Sequence, residues 1–167
     1  FCVDSEKLDK LSQNAMYFEG KMPWKDAWKR AKVEPPVAIA VNTILQTGDS
    51  GPISPAAYNL PNSDEIRRTH GSKNVMLQNV MLAASPELKQ KTIEISYLPE
   101  DQELIGKYGD AGRQWWVYLH EVIGHGSGQA DESLKGEEPS ARIGDTYNAL
   151  EECRAESVAL YQFPDPK

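Results

Sequence analysis

The chain has 167 residues, 40% of them hydrophobic, with 25 acidic against 18 basic side chains and a net charge of −7. A length of this order makes one domain with a core of its own. The acidic balance argues against nucleic acid or an anionic membrane as partner, since both need a basic face, and no run approaches the ~18 apolar residues of a membrane span.

The first residues, FCVDSEKLDK, are polar and charged, so no secretion signal is expected. A start at Phe1 rather than methionine reads as a piece of a longer protein. Two cysteines, Cys2 and Cys153, make no disulfide framework and read as free thiols of a reducing compartment.

In chain order, Leu8, Leu11, Ala15 and Phe18 recur at three- and four-residue steps and predict a helix over 4–20, with Asp4 as its cap. Pro23 opens a second predicted helix, PWKDAWKRAK, closed by Pro35-Pro36. VAIAVNTILQ is rich in β-branched residues and is taken as a buried strand. Residues 47–63 hold three prolines and two glycines and predict a long loop, a common place for function. A helix is predicted from Ser63, and SKNVMLQNVMLAAS is read as another, stopped at Pro86. ELKQKTIEISYL is ambiguous. Pro99 starts a helix to Gly106, and DAGRQWWVYLHEVIGH at 110–125 forms a long apolar helix. A polar, glycine-rich loop follows, and Asp145 caps a final helix, TYNALEECRAESVALYQF. The fold class expected is mainly α with a few short strands, organised as a single domain over 1–167.

The chemistry concentrates in His120-Glu121-Val122-Ile123-Gly124-His125, at the end of an apolar helix. A His-Glu pair there is costly unless something uses it, and neutral imidazoles are good zinc ligands. The adjacent Glu121 can then act as general base on water. The two histidines stand five apart, and five steps of a regular helix turn the second roughly 140° from the first. Both can reach one ion only if the helix carries a π-type bulge or a broken turn near Val122–Gly124, where Gly124 tolerates distortion. A third ligand must come from elsewhere. EECRAE at 151–156 supplies three carboxylates on an apolar-flanked helix, 26 residues after His125. One of them can bind metal, and the others can accept the free imidazole N–H groups.

HEVIGHGSG followed by EECRAE resembles the dipeptidyl peptidase III family, with its HExxGH and EECRA[ED] motifs. NLPNSDEIRRTHGSKNVMLQNV is similar to a further segment of that family, so the resemblance covers residues 48–160. It implies a fragment of the helical zinc-binding lobe of a two-lobed, cytoplasmic metallopeptidase, binding one Zn2+ and releasing dipeptides from the free N-terminus of short peptides. It implies His120, His125 and Glu152 as zinc ligands and Glu121 as the catalytic base. By the same resemblance Glu151 and Glu156 are partners of the histidines, and Asn59, Asn62 and Arg67 bind substrate. The family's upstream tyrosine and acidic residue would precede Phe1, and its downstream histidine would follow Lys167. The two motifs also lie closer together than in the animal enzymes, as in a shortened, bacterial-type connection.

Blander readings stand beside these. NLPN is also a good turn, Trp115 and Trp116 read as core, and His70 reads as surface or packing. Cys153 reads as a packed small apolar residue, and Arg154 as a structural partner of Glu151 or a nearby carboxylate. For the whole chain the alternatives are an inactive zinc-stabilised module that binds peptides or proteins, and a carboxylate-rich scaffold without metal.

Overall fold

The computed structural model describes residues 6–33, 37–48, 54–60, 66, 70, 73–134 and 136–166. Two helices open it, α1 (Glu6–Gln13) and α2 (Ala15–Lys21). The single helix expected over 4–20 is broken at Asn14, whose side-chain amide donates back to the Lys10 carbonyl at 2.8 Å. Asparagine competes in this way with the regular helical ladder. Asp4, the expected cap, lies outside the described residues.

The segment PWKDAWKRAK forms only one 3-10 turn, Asp26–Trp28. Its polar groups are used at long range instead. Gln129 N donates to Trp28 O at 2.9 Å and Trp28 Nε1 donates to Asp131 at 2.8 Å.

Three strands, β1 (Val37–Val41), β2 (Ala57–Leu60) and β3 (Lys73–Leu77), form a sheet of order β1-β3-β2. β1 runs parallel to β3 and β2 antiparallel, with Asn59 opposite Asn74. The buried strand at VAIAV is as expected. β2 lies inside the stretch read as loop, and β3 replaces the first part of the helix expected at SKNVMLQNVMLAAS. Asn74 and Met76 are buried in alternation, the period of a strand, and only the short α3 (Gln78–Met81) is helical.

α4 (Pro86–Ser96) resolves the ambiguous stretch; Ser85 caps it by accepting from Leu88 N at 3.2 Å. α5 (Pro99–Tyr118) is one helix where two were expected, and it runs into a π segment, Leu119–Gly124. α6 (Pro139–Ile143) is short, and α7 (Tyr147–Gln162) begins after a 3-10 turn, Gly144–Thr146, so Asp145 does not cap it.

One core joins α1, α2, the sheet, the π segment and α7, with Leu8, Phe18, Met76, Tyr118, Ile123 and Val158 among its buried members. Each such side chain contributes about 1.5–3 kcal/mol by leaving water. Leu119, Val122 and Ile123 face this core, while His120 and Glu121 are only half-buried. Ala155, Val158 and Ala159 bury the matching side of α7. The π segment and α7 are therefore held together by apolar contact, with their ionisable side chains gathered along one edge.

Candidate metal centre

The deformed turn predicted from the five-residue spacing is present. His125 N donates to His120 O at 3.0 Å, an i to i+5 bond that closes a π turn between the two histidines. The imidazoles end with ring centroids 4.9 Å apart, nearly perpendicular.

Gly124 contributes differently from expectation. Its φ is not positive, so conformational freedom is not what it supplies. A Cβ there would stand 2.7 Å from Ala155 O and 3.0 Å from Ala155 Cα. Glycine is required because the backbone of α7 passes against it.

α7 brings its three glutamates to the two rings. His120 Nδ1 pairs with Glu156 Oε2 at 2.8 Å and His125 Nδ1 with Glu151 Oε1 at 2.9 Å. Carboxylates so placed accept an Nδ1–H from each ring, the tautomer that keeps the Nε2 lone pairs for a metal. Glu152 occupies the space between, 3.1 Å from His120 Nε2 and 3.6 Å from His125 Nε2, with its side chain 64% exposed.

Ligand atoms of His120, His125 and Glu152 all lie within 4.8 Å of one another. Donors about 2.1 Å from a tetrahedral ion stand roughly 3.4 Å apart, so the two Glu152 distances are close to those of neighbouring zinc donors. The donor chemistry fits as well: two neutral imidazoles and a carboxylate, with room left at the exposed side.

The two outer carboxylates are held unequally. Arg154 grips Glu151 with both ends of its guanidinium, Nε to Oε2 at 2.8 Å and Nη2 to Oε1 at 2.6 Å. Burial pushes the Glu151 carboxyl up, but the hydrogen bonds from Arg154 and His125 overcome it and hold the pKa down at about 2. Glu156 instead shares Oε2 between His120 and the indole N–H of Trp116, at 2.9 Å. Trp116, expected in the core, is half-buried and donates to the site. Its position one turn before His120 was the available signal. Arg154 does pair with Glu151. Cys153, expected to be packed, is exposed.

Of the expected substrate residues, Asn59 is described, while Asn62 and Arg67 lie outside the described residues. Asn59 Nδ2 donates to Asn74 Oδ1 at 2.7 Å and to the Glu121 carbonyl at 3.3 Å. Its Oδ1 is buried and has no partner among the described residues. Asn59 thus lies against the turn that carries Glu121, and Glu121 itself is half-buried there. Beside His125 opens a groove of about 1750 Å³ whose lining includes Asn59, Val122, His125, Glu151 and Arg154. His70 is exposed at its edge.

Two histidines and a glutamate with one side open form a donor set of the catalytic-zinc class. Residues 3–133 match the model of Peptidase family M49, and the chain belongs to that family. It is 30% identical over 195 residues to Dipeptidyl peptidase 3 of Dictyostelium discoideum, covering 98% of this chain and 27% of that protein. The human Dipeptidyl peptidase 3 is 29% identical over 184 residues, covering 94% and 24%. The structure of DPP III from Caldithrix abyssi superposes with a TM-score of 0.72 at 27% identity, over 95% of this chain and 30% of that one. Dipeptidyl-peptidase III from Corallococcus sp. strain EGB shares the fold, with a TM-score of 0.78 at 22% identity, over 94% and 29%. The chain spans about a quarter of the length of the curated relatives it matches.

Proposed function

We propose that this chain is the metal-binding part of a zinc exopeptidase that releases dipeptides from the free N-terminus of short peptides. The observation that carries the reading is the convergence of His120 Nε2, His125 Nε2 and the Glu152 carboxylate, with both Nδ1 atoms already committed to Glu156 and Glu151. His120, His125 and Glu152 would hold one Zn2+, which supplies Lewis acidity for peptide hydrolysis when bound.

The chain's own residues do the rest. Glu156 and Glu151 take the Nδ1–H bonds and hold each imidazole in its ligating tautomer. Glu121, on the same π turn, is the general base: its carboxylate takes the proton of the attacking water and gives it to the leaving amine. Asn59 keeps Nδ2 on the Glu121 carbonyl and lines the groove where the peptide binds in this reading. Asn62 and Arg67 complete the substrate contact in this reading. The chain forms a single catalytic domain of a longer two-lobed cytoplasmic enzyme. No described helix is long and apolar enough to cross a membrane.

The test is loading with zinc followed by metal analysis and assay of dipeptide release. One zinc per chain is expected, lost in His125→Ala and kept in Glu121→Gln, with hydrolysis lost in both. The coverage of about a quarter of the relatives' length favours one second reading: by itself the chain is a zinc-stabilised module that binds peptides without cleaving them. Equal hydrolysis by the parent and Glu121→Gln would remove the catalytic reading.

A further inference from the structure

Glu19 on α2 is 1% exposed, far from the candidate metal ligands in the sequence and hydrogen-bonded to none of them among the described residues. A buried carboxylate is costly unless its oxygens are matched by donors. Its donors are backbone N–H groups of two separate loops. Arg30 N reaches Oε1 at 2.7 Å, and Gly128 N reaches both oxygens, at 3.0 and 3.2 Å. Gly128 belongs to the loop that immediately follows His125. It adopts φ +73°, which favours glycine, and a Cβ there would lie 3.4 Å from the Trp24 ring. The Arg30 side chain adds a second tie, Nε to Gly128 O at 2.6 Å.

The next residue back along that loop, Ser127, is buried, and it touches the site. Arg154 Nη1 donates to Ser127 O at 3.2 Å and to Ser127 Oγ at 3.4 Å. The rest of the same guanidinium clamps Glu151, the carboxylate that receives His125 Nδ1. A continuous polar strut thus runs from Glu19 through Gly128 and Ser127 to Arg154, Glu151 and His125.

We propose that Glu19 is a positioning residue for the metal centre: by pinning Gly128 it sets the Ser127 oxygens that hold Arg154 in register with Glu151, and so fixes the His125 ring. This rests on the zinc reading above. A carboxylate whose only task was to dock α2 would need no loop that leads to Arg154.

The experiment compares the parent chain with Glu19→Gln, which keeps size but puts an amide donor against a backbone donor. Tyr17→Phe is the control. It removes a long-range hydrogen bond of the same helix, to Asp165, without touching the strut. Zinc affinity is measured against a competing chelator, and the Arg154 Nε–H signal is followed by NMR without metal. For Glu19→Gln the expected result is an affinity loss of about tenfold, the lower end for groups that orient ligands, with a shifted, faster-exchanging Arg154 signal. Tyr17→Phe should lower the melting temperature and leave both readouts unmoved. Affinity within about twofold of the parent overturns the proposal, whatever the Arg154 signal does. Should Glu19→Gln not fold, Glu19→Asp keeps the charge and withdraws it by one methylene. A weaker zinc affinity then supports the proposal, and parental affinity overturns it. If the parent itself binds no zinc, the proposed function fails, and the Arg154 signal alone decides whether Glu19 sets the Glu151 clamp.

Discussion

The two halves of the centre use the same chemistry in different surroundings. His125 has a side chain 6% exposed, and its carboxylate, Glu151, is 16% exposed and clamped by a guanidinium. His120 is 15% exposed, and its carboxylate, Glu156, is 44% exposed and held by a neutral indole. Charge-assisted, bidentate hydrogen bonds in a dry setting are stronger than a single neutral one near water. The lesson is that, in the proposed cage, the His125 half is the fixed side and the His120 half the adjustable side, open toward Glu152 and solvent.

The sharpest way to break that arrangement is Gly124→Ala. The added methyl would stand 2.7 Å from a backbone oxygen of α7, which no rotamer change relieves. Overpacking of this kind costs about 1–3 kcal/mol. Because it moves α7 as a unit, it should displace all three glutamates at once. Urea unfolding and chelator competition should show lower stability and zinc affinity down by at least about 100-fold, the upper limit for a single orienting group.

Glu151→Gln and Glu156→Gln test the asymmetry directly. Losing either partner should weaken zinc within the ~10–100-fold range of such groups, with Glu151→Gln near the top and Glu156→Gln near the bottom. Glu151→Gln also strands the Arg154 charge. The expected loss is about 2 kcal/mol, below the 3–5 of a fully buried pair because the Arg154 side chain is 32% exposed. Equal affinities for the two variants would remove the distinction between the halves.

Acid should sharpen it further. The Glu151 pKa is depressed in the folded chain from 4.5 to about 2. The associated stability is present above the ordinary carboxylate pKa and is lost as pH falls from about 4.5 toward 2. In metal-free chain, the stability gap between parent and Glu151→Gln should therefore be full near neutrality and narrow below pH 4.5. A gap constant to pH 3 would mean that the clamp is not ionic.

The smallest effect belongs to Trp116→Phe, which removes the indole donor to Glu156 and keeps most of the ring. Zinc affinity should fall by less than about tenfold, below the range for loss of a carboxylate partner. A larger drop would place the fixed side of the cage at His120.

What the sequence showed follows from how local each feature is. A spacing of five between two histidines demands a π turn, and that turn is closed by His125 N and His120 O within the same stretch. The three carboxylates of α7 were legible as a group because their apolar flanks, Ala155 and Val158 among them, mark a buried helix edge. β3 was not legible. Lys73–Leu77 carries residues that suit either state, and it becomes a strand only because β1 and β2, distant in sequence, pair on both sides of it. The 3-10 turn at Asp26–Trp28 has the same explanation, since Asp131 and Gln129 engage Trp28 from about a hundred residues away. Asn59 was marked as a substrate residue, and its bond to the Glu121 carbonyl depends on that same sheet. Ser127 and Glu19 left no mark in the sequence because their roles are set by loop backbone contacts.

The most direct test of the whole account is X-ray absorption at the zinc edge, on the zinc-loaded chain and on Glu152→Gln. The expected spectrum has two imidazole nitrogens with oxygen donors completing the set, and a changed oxygen shell with both imidazoles retained in Glu152→Gln. Fewer than two imidazoles in the parent, or a Glu152→Gln spectrum identical to it, would contradict a centre built from His120, His125 and Glu152.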